Sequence, residues 1–146
     1  MKKQSKKIVD EMFKNDSFSK WLGIKVLDQA PGFAMIEMRV RKEMLNGFDI
    51  LHGGISYSLA DSALAFASNG HGIKSVSVET SISHLESCVE GDVLTAVVKE
   101  LNLSKKKGIY HVDVKNQHKM TVAHFKGTVY RTGKNWDLNH PLKSKT

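Results

Sequence analysis

Cysteine occurs once, at Cys88. Without a second thiol the chain closes no intrachain disulfide, and cysteine-rich zinc sites are excluded with it. His84 stands four residues before Cys88, but no second pair at ligand spacing accompanies it, so no metal site is expected. Long apolar runs are also missing. None approaches the roughly 20 residues that span a bilayer, and Met1 to Phe13 has no apolar core of a signal peptide. The expectation is a cytoplasmic chain in reducing surroundings with no membrane partner.

Acidic residues are outnumbered, 15 against 22 Lys and Arg, for a net charge of +7. Such an excess favours anionic partners. Much of it lies at Lys2, Lys3, Lys6 and Lys7, at Lys105 to Lys107, and at Lys134, Lys143 and Lys145, where lysines are ordinarily just solvated. The sequence has no basic strand face interleaved with aromatics and no recognition helix, so no nucleic-acid partner is expected. A phosphorylated small molecule or cofactor suits a modest, dispersed excess better.

With 146 residues, 40 % hydrophobic and 25 % charged, the chain has the length and balance of one globular domain over residues 1 to 146. Ile8, Val9, Met12 and Phe13 recur at helical spacing and predict a short amphipathic helix over Gln4 to Lys14. A second helical turn, Ser17 to Leu22, takes Asp16 or Ser17 as its N-cap and ends at Gly23. Ile24 to Leu27 is strand-like, and Pro31-Gly32 marks a turn. Phe33 to Arg41 then alternates in period two, with Ala34, Ile36, Met38 and Val40 on one face.

After a loop with an Asn46-Gly47 turn and one long helix, strands are predicted at Lys74 to His84, Asp92 to Leu101, Gly108 to Val114 and Thr121 to Arg131. In the first of these, Val76, Val78, Thr80 and Ile82 share one face, with Ser75, Ser77, Glu79 and Ser81 on the other. Short connections predict antiparallel neighbours. The stretch from about Thr132 to Thr146 reads as a peripheral tail. The expected class is α+β, an antiparallel sheet of five or six strands covering a helix too apolar to lie in water. Val97, Tyr110 and Phe125 add apolar side chains whose facing the sequence does not decide, and self-association would cover any on the second face.

Charge is scarcest between Leu51 and Gly72, where Asp61 is the one formally charged residue. A helix is predicted from Gly53 to Asn69, buried on most sides. An ionised carboxylate in apolar surroundings is disfavoured unless paired or hydrogen-bonded, and otherwise its pKa climbs. Asp61 is therefore either a structural carboxylate held from elsewhere in the fold or a reacting group. Gly53-Gly54 either permits close packing or leaves the helix N-terminal N–H groups open to polarise a carbonyl and hold an oxyanion. At 1.5 Å per residue the two features lie about 12 Å apart along the axis. One substrate carbonyl cannot meet both groups of one helix, so joint action requires two copies of the chain in a two-fold dimer. Ser56 fails the Gly-x-Ser-x-Gly elbow because Ser58 stands where the last glycine belongs, and Cys88 has no activating neighbour.

Met44-Leu45-Asn46-Gly47, His52-Gly53-Gly54, Leu59-Ala60-Asp61-Ser62 and Asn69 together resemble the signature of the hotdog-fold acyl-CoA thioesterases of the phenylacetate-pathway type. Asp16-Ser17-Phe18, Leu22-Gly23-Ile24, Gly91-Asp92, Gly108-Ile109-Tyr110 and Gly127 to Arg131 extend the likeness over roughly residues 11 to 136. The resemblance implies a hotdog fold, a sheet wrapped around the long helix with a short N-terminal helix. It also implies a homodimer or homotetramer with active sites at the dimer interface. Asp61 is then general base or nucleophile, Gly53 and its neighbour Gly54 bind the carbonyl oxygen, Asn46 and His52 position the thioester or the water, and Ser62 orients the water. No cofactor is implied beyond coenzyme A as part of the substrate.

The chain departs from the family pattern at Ser83-His84-Leu85-Glu86-Ser87, where relatives often carry Asn-Tyr-Leu, a basic residue and proline. The departure bears on acyl-group preference. Arylacetyl-CoA and medium-chain acyl-CoA are the substrates in view. A non-catalytic acyl-CoA-binding module on the same fold is the alternative, but Asp61 gains such a module little beside polyanionic CoA. A dehydratase lacks the Asp–His pairing it needs, since Tyr57 and Ala65 flank Asp61 at four residues either side.

Overall fold

A computed structural model describes residues 1–140. Helix α1 (Lys2–Lys14) buries Ile8 and Val9, two of the four positions at helical spacing, with Met12 and Phe13 partly buried against the core. Helix α2 (Ser17–Trp21) is capped by Asp16, whose side chain accepts the Ser19 N–H at 2.9 Å. Strands β1 (Lys25–Ala30) and β2 (Phe33–Arg39) form a hairpin. A 3₁₀ turn, Lys42–Met44, leads to helix α3 (Gly53–Asn69). Strands β3 (Ile73–His84), β4 (Val93–Leu103), β5 (Lys107–Lys115) and β6 (Thr121–Asn135) complete an antiparallel sheet in the order β1-β2-β4-β5-β6-β3.

The sheet curves around α3, whose Leu59, Ala60, Ala63, Leu64, Phe66 and Ala67 are no more than 1 % exposed. Facing them, Ile36, Ala96, Val114 and Ala123 form one cross-strand row, and Val98, Val112 and Phe125 a second. Gly127 lets the helix close in, since a Cβ there would stand 2.5 Å from a methyl of Leu64. Tyr110 and Phe125 point to the core, whereas Val97 lies on the outer face beside Lys99, His111 and Asp113. No helix among the described residues is long and apolar enough to cross a membrane.

Three expectations need correction. The short connection between the strands predicted at Lys74 to His84 and Asp92 to Leu101 does not join neighbours: β3 is the far edge of the sheet, paired with β6, and β4 lies beyond β5. Residues Gly91 and Asp92 bond the backbone of Val40 instead, at 2.8 Å each way. Second, Val76 and Val78 do not share the inward face with Thr80 and Ile82. The register with β6 slips between Ser77 and Glu79, and a bulge there exchanges the two faces of the strand. Ser75 and Ser77 consequently turn inward, while Val76 and Val78 are 57 % and 62 % exposed.

Third, β6 runs to Asn135, past the expected start of the tail. Trp136 then donates its N–H to the Gly72 carbonyl and its Nε1–H to Asn69 Oδ1, both at 2.9 Å. The tail from residue 141 onward lies outside the described residues.

Candidate active site

The start of α3 is built around two imidazoles. His52 is its N-cap, with Nδ1 accepting the Gly54 N–H at 2.9 Å and the carbonyl accepting the Ile55 N–H at 2.9 Å. The Gly53 N–H has no partner among the described residues. It is the donor this helix end offers to a ligand. Gly54, expected to bind the substrate, has its N–H engaged by His52, and its lack of a side chain makes room for the cap: a Cβ at Gly54 would stand 3.0 Å from His52 Nδ1.

At Gly53 the neighbour is His84, since a Cβ there would stand 3.0 Å from His84 Nε2. Paired with Ala123 at the end of β3, His84 shares that residue's inward face. Its Nδ1 is 3.4 Å from Ser56 Oγ, and Ser56 donates to the Gly53 carbonyl at 3.1 Å. Gly53, Ser56 and His84 line a cavity of about 300 Å³ with Leu51, Cys88 and Val122. Burial, and secondarily Asp92, pushes the Cys88 thiol up to about 11. It stays protonated and unreactive. The sequence offers His84 as a metal partner of Cys88 and as part of the Ser83 to Ser87 departure from the family pattern, but not as a neighbour of Gly53. The signal that finds it is the alternation Thr80, Ile82, His84 beyond the bulge.

Asp61 lies in a second cavity, of about 250 Å³, with Met12, Ser68, Asn69, Ser75 and Ser77 among its walls. Burial alone raises its carboxyl pKa, with no hydrogen bond or neighbouring charge contributing to the shift. Ser75 and Ser77 line this wall because of the bulge in β3, with the Ser75 hydroxyl donating to the Ile73 carbonyl at 3.1 Å.

Ser62 is turned elsewhere, its Oγ 2.8 Å from Ser19 Oγ, which in turn donates to Asp16 at 2.6 Å. Asn46 sits in the loop before α3, closed by the Leu45–Leu51 bridge and by the His52 N–H on the Met44 carbonyl at 2.9 Å. Its Oδ1 accepts the Phe48 N–H at 2.9 Å, which leaves the amide Nδ2 without a partner among the described residues. It borders a different hollow, with Lys42, Asp49 and Glu90.

One chain therefore gathers Gly53, His52 and His84 at the start of α3, and Asp61 with Ser75 and Ser77 in a separate cavity along it. Among the described residues no group of three His, Cys, Asp or Glu side chains is placed to hold a metal ion. The profile of the thioesterase superfamily matches residues 48–123, from the loop before α3 into β6. The chain belongs to the thioesterase superfamily.

Other members share its plan. A putative esterase of Archaeoglobus fulgidus is 42 % identical over 130 residues, 89 % of this thioesterase-superfamily chain and 84 % of its own length. The acyl-coenzyme A thioesterase PaaI of Escherichia coli is 39 % identical over 122 residues, 84 % of this chain and 87 % of its own. The solved structure of E. coli PaaI matches with a TM-score of 0.90 at 36 % identity, over 92 % of this chain and 97 % of that one. The shared fold is the hotdog fold. Streptococcus mutans smu.793, solved bound to acetyl CoA, matches with a TM-score of 0.75 at 26 % identity, over 77 % of this chain and 91 % of that one.

Proposed function

We propose that this chain hydrolyses the thioester of an acyl-CoA to free acid and CoA, each site combining Gly53 of one copy with Asp61 of another. The observation that carries this reading is Asp61, a carboxylate in an otherwise apolar helix whose pKa burial alone raises. A structural carboxylate in that position would hold bonds, whereas a base must keep its lone pairs for a proton. The likeness to the acyl-CoA thioesterase PaaI and to an acetyl-CoA-bound neighbour supports the substrate class.

In this mechanism Asp61 takes a proton from a water molecule as the water oxygen attacks the thioester carbonyl carbon. The carbonyl oxygen becomes an oxyanion held by the free Gly53 N–H at the positive end of α3. Collapse of that intermediate breaks the carbon–sulfur bond and expels the CoA thiolate, which takes up the proton held on Asp61 and leaves as the thiol, restoring the carboxylate. His52 contributes by fixing the helix start, and the free Asn46 amide is placed to meet the thioester from the adjoining loop. Ser62 ties α3 to α2 and takes no part in the chemistry.

The two-chain site calls for a homodimer, alone or paired into a tetramer. The unpaired edge of β3 is the surface proposed for it, since it carries the exposed Val76 and Val78 and borders the Asp61 cavity. The acyl group is arylacetyl or medium-chain, and the cytoplasm, where CoA esters are met, is the proposed location. The test is free-thiol release from a panel of acyl-CoAs by the native protein and by Asp61→Asn. Loss of a base should lower kcat by about 10²–10⁴-fold. No release from any acyl-CoA by the native protein would end the thioesterase reading, and full activity in the variant would make Asp61 structural.

A further inference from the structure

The outer face of the sheet, turned away from α3, carries a cationic row that the candidate active site does not use. Lys99 on β4 stands directly opposite His111 on β5, His111 opposite Lys126 on β6, and Lys126 opposite Ser81 on β3. Their sequence neighbours Val98, Val112 and Phe125 are the buried ones that face the helix. Like charges set opposite one another on adjacent strands are destabilising. Among the described residues, however, neither lysine pairs with a carboxylate, and nor does His111. Asp113, two residues along β5, is already engaged, accepting from His124 Nδ1 at 2.5 Å.

The register also gives the row a shape. Lys99 and Lys126 lie two strand spacings apart, about 10 Å between backbones, so their long side chains can meet one group seated over His111. The row borders a hollow of about 480 Å³ that Val97 and Asp113 help to line. Three donors in a line match the three terminal oxygens of a phosphate. The hollow exceeds what a bare ion fills, and the spare lone pairs of Asp113 suit a hydroxyl on the group that carries the phosphate. Acids border the row on both sides, Asp113 opposite His124 and Glu79 opposite Thr128. So short a run of cations gives a nucleic acid or an acidic peptide no track to follow.

We infer that the outer face of the sheet holds a second ligand site, in which Lys99, His111 and Lys126 bind the phosphate of a small hydroxylated phosphate monoester other than the acyl-CoA substrate. The site stands apart from the thioesterase reading, since the sheet separates it from α3.

The experiment follows the His111 ring signals of the full chain by NMR during titration with inorganic phosphate and with ribose 5-phosphate, at constant ionic strength so that screening does not change. Native protein, the double variant Lys99→Gln/Lys126→Gln and a charge-matched control, Lys3→Gln/Lys7→Gln, are compared, and the backbone amide spectrum reports that each is folded. The native protein should show saturable shifts with both probes and bind ribose 5-phosphate more tightly. Binding should weaken by about tenfold or more in Lys99→Gln/Lys126→Gln and stay within about twofold of native in the control. No saturable shift in the native protein, or equal weakening in both variants, overturns the site. Saturation by inorganic phosphate alone overturns the monoester assignment. KM for an acyl-CoA should be the same in native protein and Lys99→Gln/Lys126→Gln, and a KM raised in that variant alone would assign the row to the substrate's own phosphates and overturn the separate ligand. If no acyl-CoA is cleaved, the thioesterase reading falls and the titration still decides the site.

Discussion

At Asp61 the folded chain holds a proton more tightly than the unfolded chain does, because burial raises the carboxyl pKa. A group shifted in that direction costs stability above its folded pKa, and the cost disappears as the pH falls below the unfolded value of about 3.9. Asp61→Asn should therefore melt a few degrees higher than the native protein in calorimetry at neutral pH, with the gap closing toward about pH 4. A variant that melts lower would reveal a structural bond at that carboxylate. Asp61 was legible in the sequence because one charge in an apolar helix stands out from composition alone. His52 was legible as a site residue but not as the N-cap, since imidazole is no usual cap. His84 was not legible, because its meaning comes from a glycine that lies 31 positions earlier and meets it only in the fold.

At the level of elements, Asn69 decides where β3 lies against α3. Its Nδ2 donates to the Ala65 and Ser75 carbonyls at 2.9 and 3.1 Å, and its Oδ1 accepts from the Ser75 N–H and Trp136 Nε1, each at 2.9 Å. Asn69→Ala leaves these buried groups unpaired and should lower unfolding stability by about 2–4 kcal/mol in urea titrations. A loss below about 0.5 kcal/mol would show the bonds to be incidental. The bounds of α3 were readable from the flanking glycines and the apolar, nearly uncharged run between them. The bulge in β3 was not, because the alternation of Val76, Val78, Thr80 and Ile82 is unbroken in the sequence and only pairing with β6 exposes the slip.

For the whole molecule the decisive matter is how copies combine. If each site takes Asp61 from one chain and Gly53 from the other, neither Asp61→Asn nor Gly53→Val alone should hydrolyse substrate. Unfolded together and refolded as a mixture, they should recover about a quarter of native activity, since half the dimers are mixed and each holds one intact site of two. No recovery from variants that refold and pair would end the shared-site reading. Strand content and an antiparallel sheet around one helix were legible from pattern. The order β1-β2-β4-β5-β6-β3 was not, because the crossing from β3 to β4 is short in sequence yet joins strands that are not neighbours.

The spacing of Gly53 and Asp61 on one rigid rod also sets a rule for the newborn chain. On the shared-site proposal a single copy leaving the ribosome folds with two half-sites and no whole one. It is harmless to the cell's CoA esters until it meets a sister. Output then climbs with the square of chain abundance while copies are scarce and only in proportion once all are paired. The pitch of a single helix makes the enzyme its own threshold.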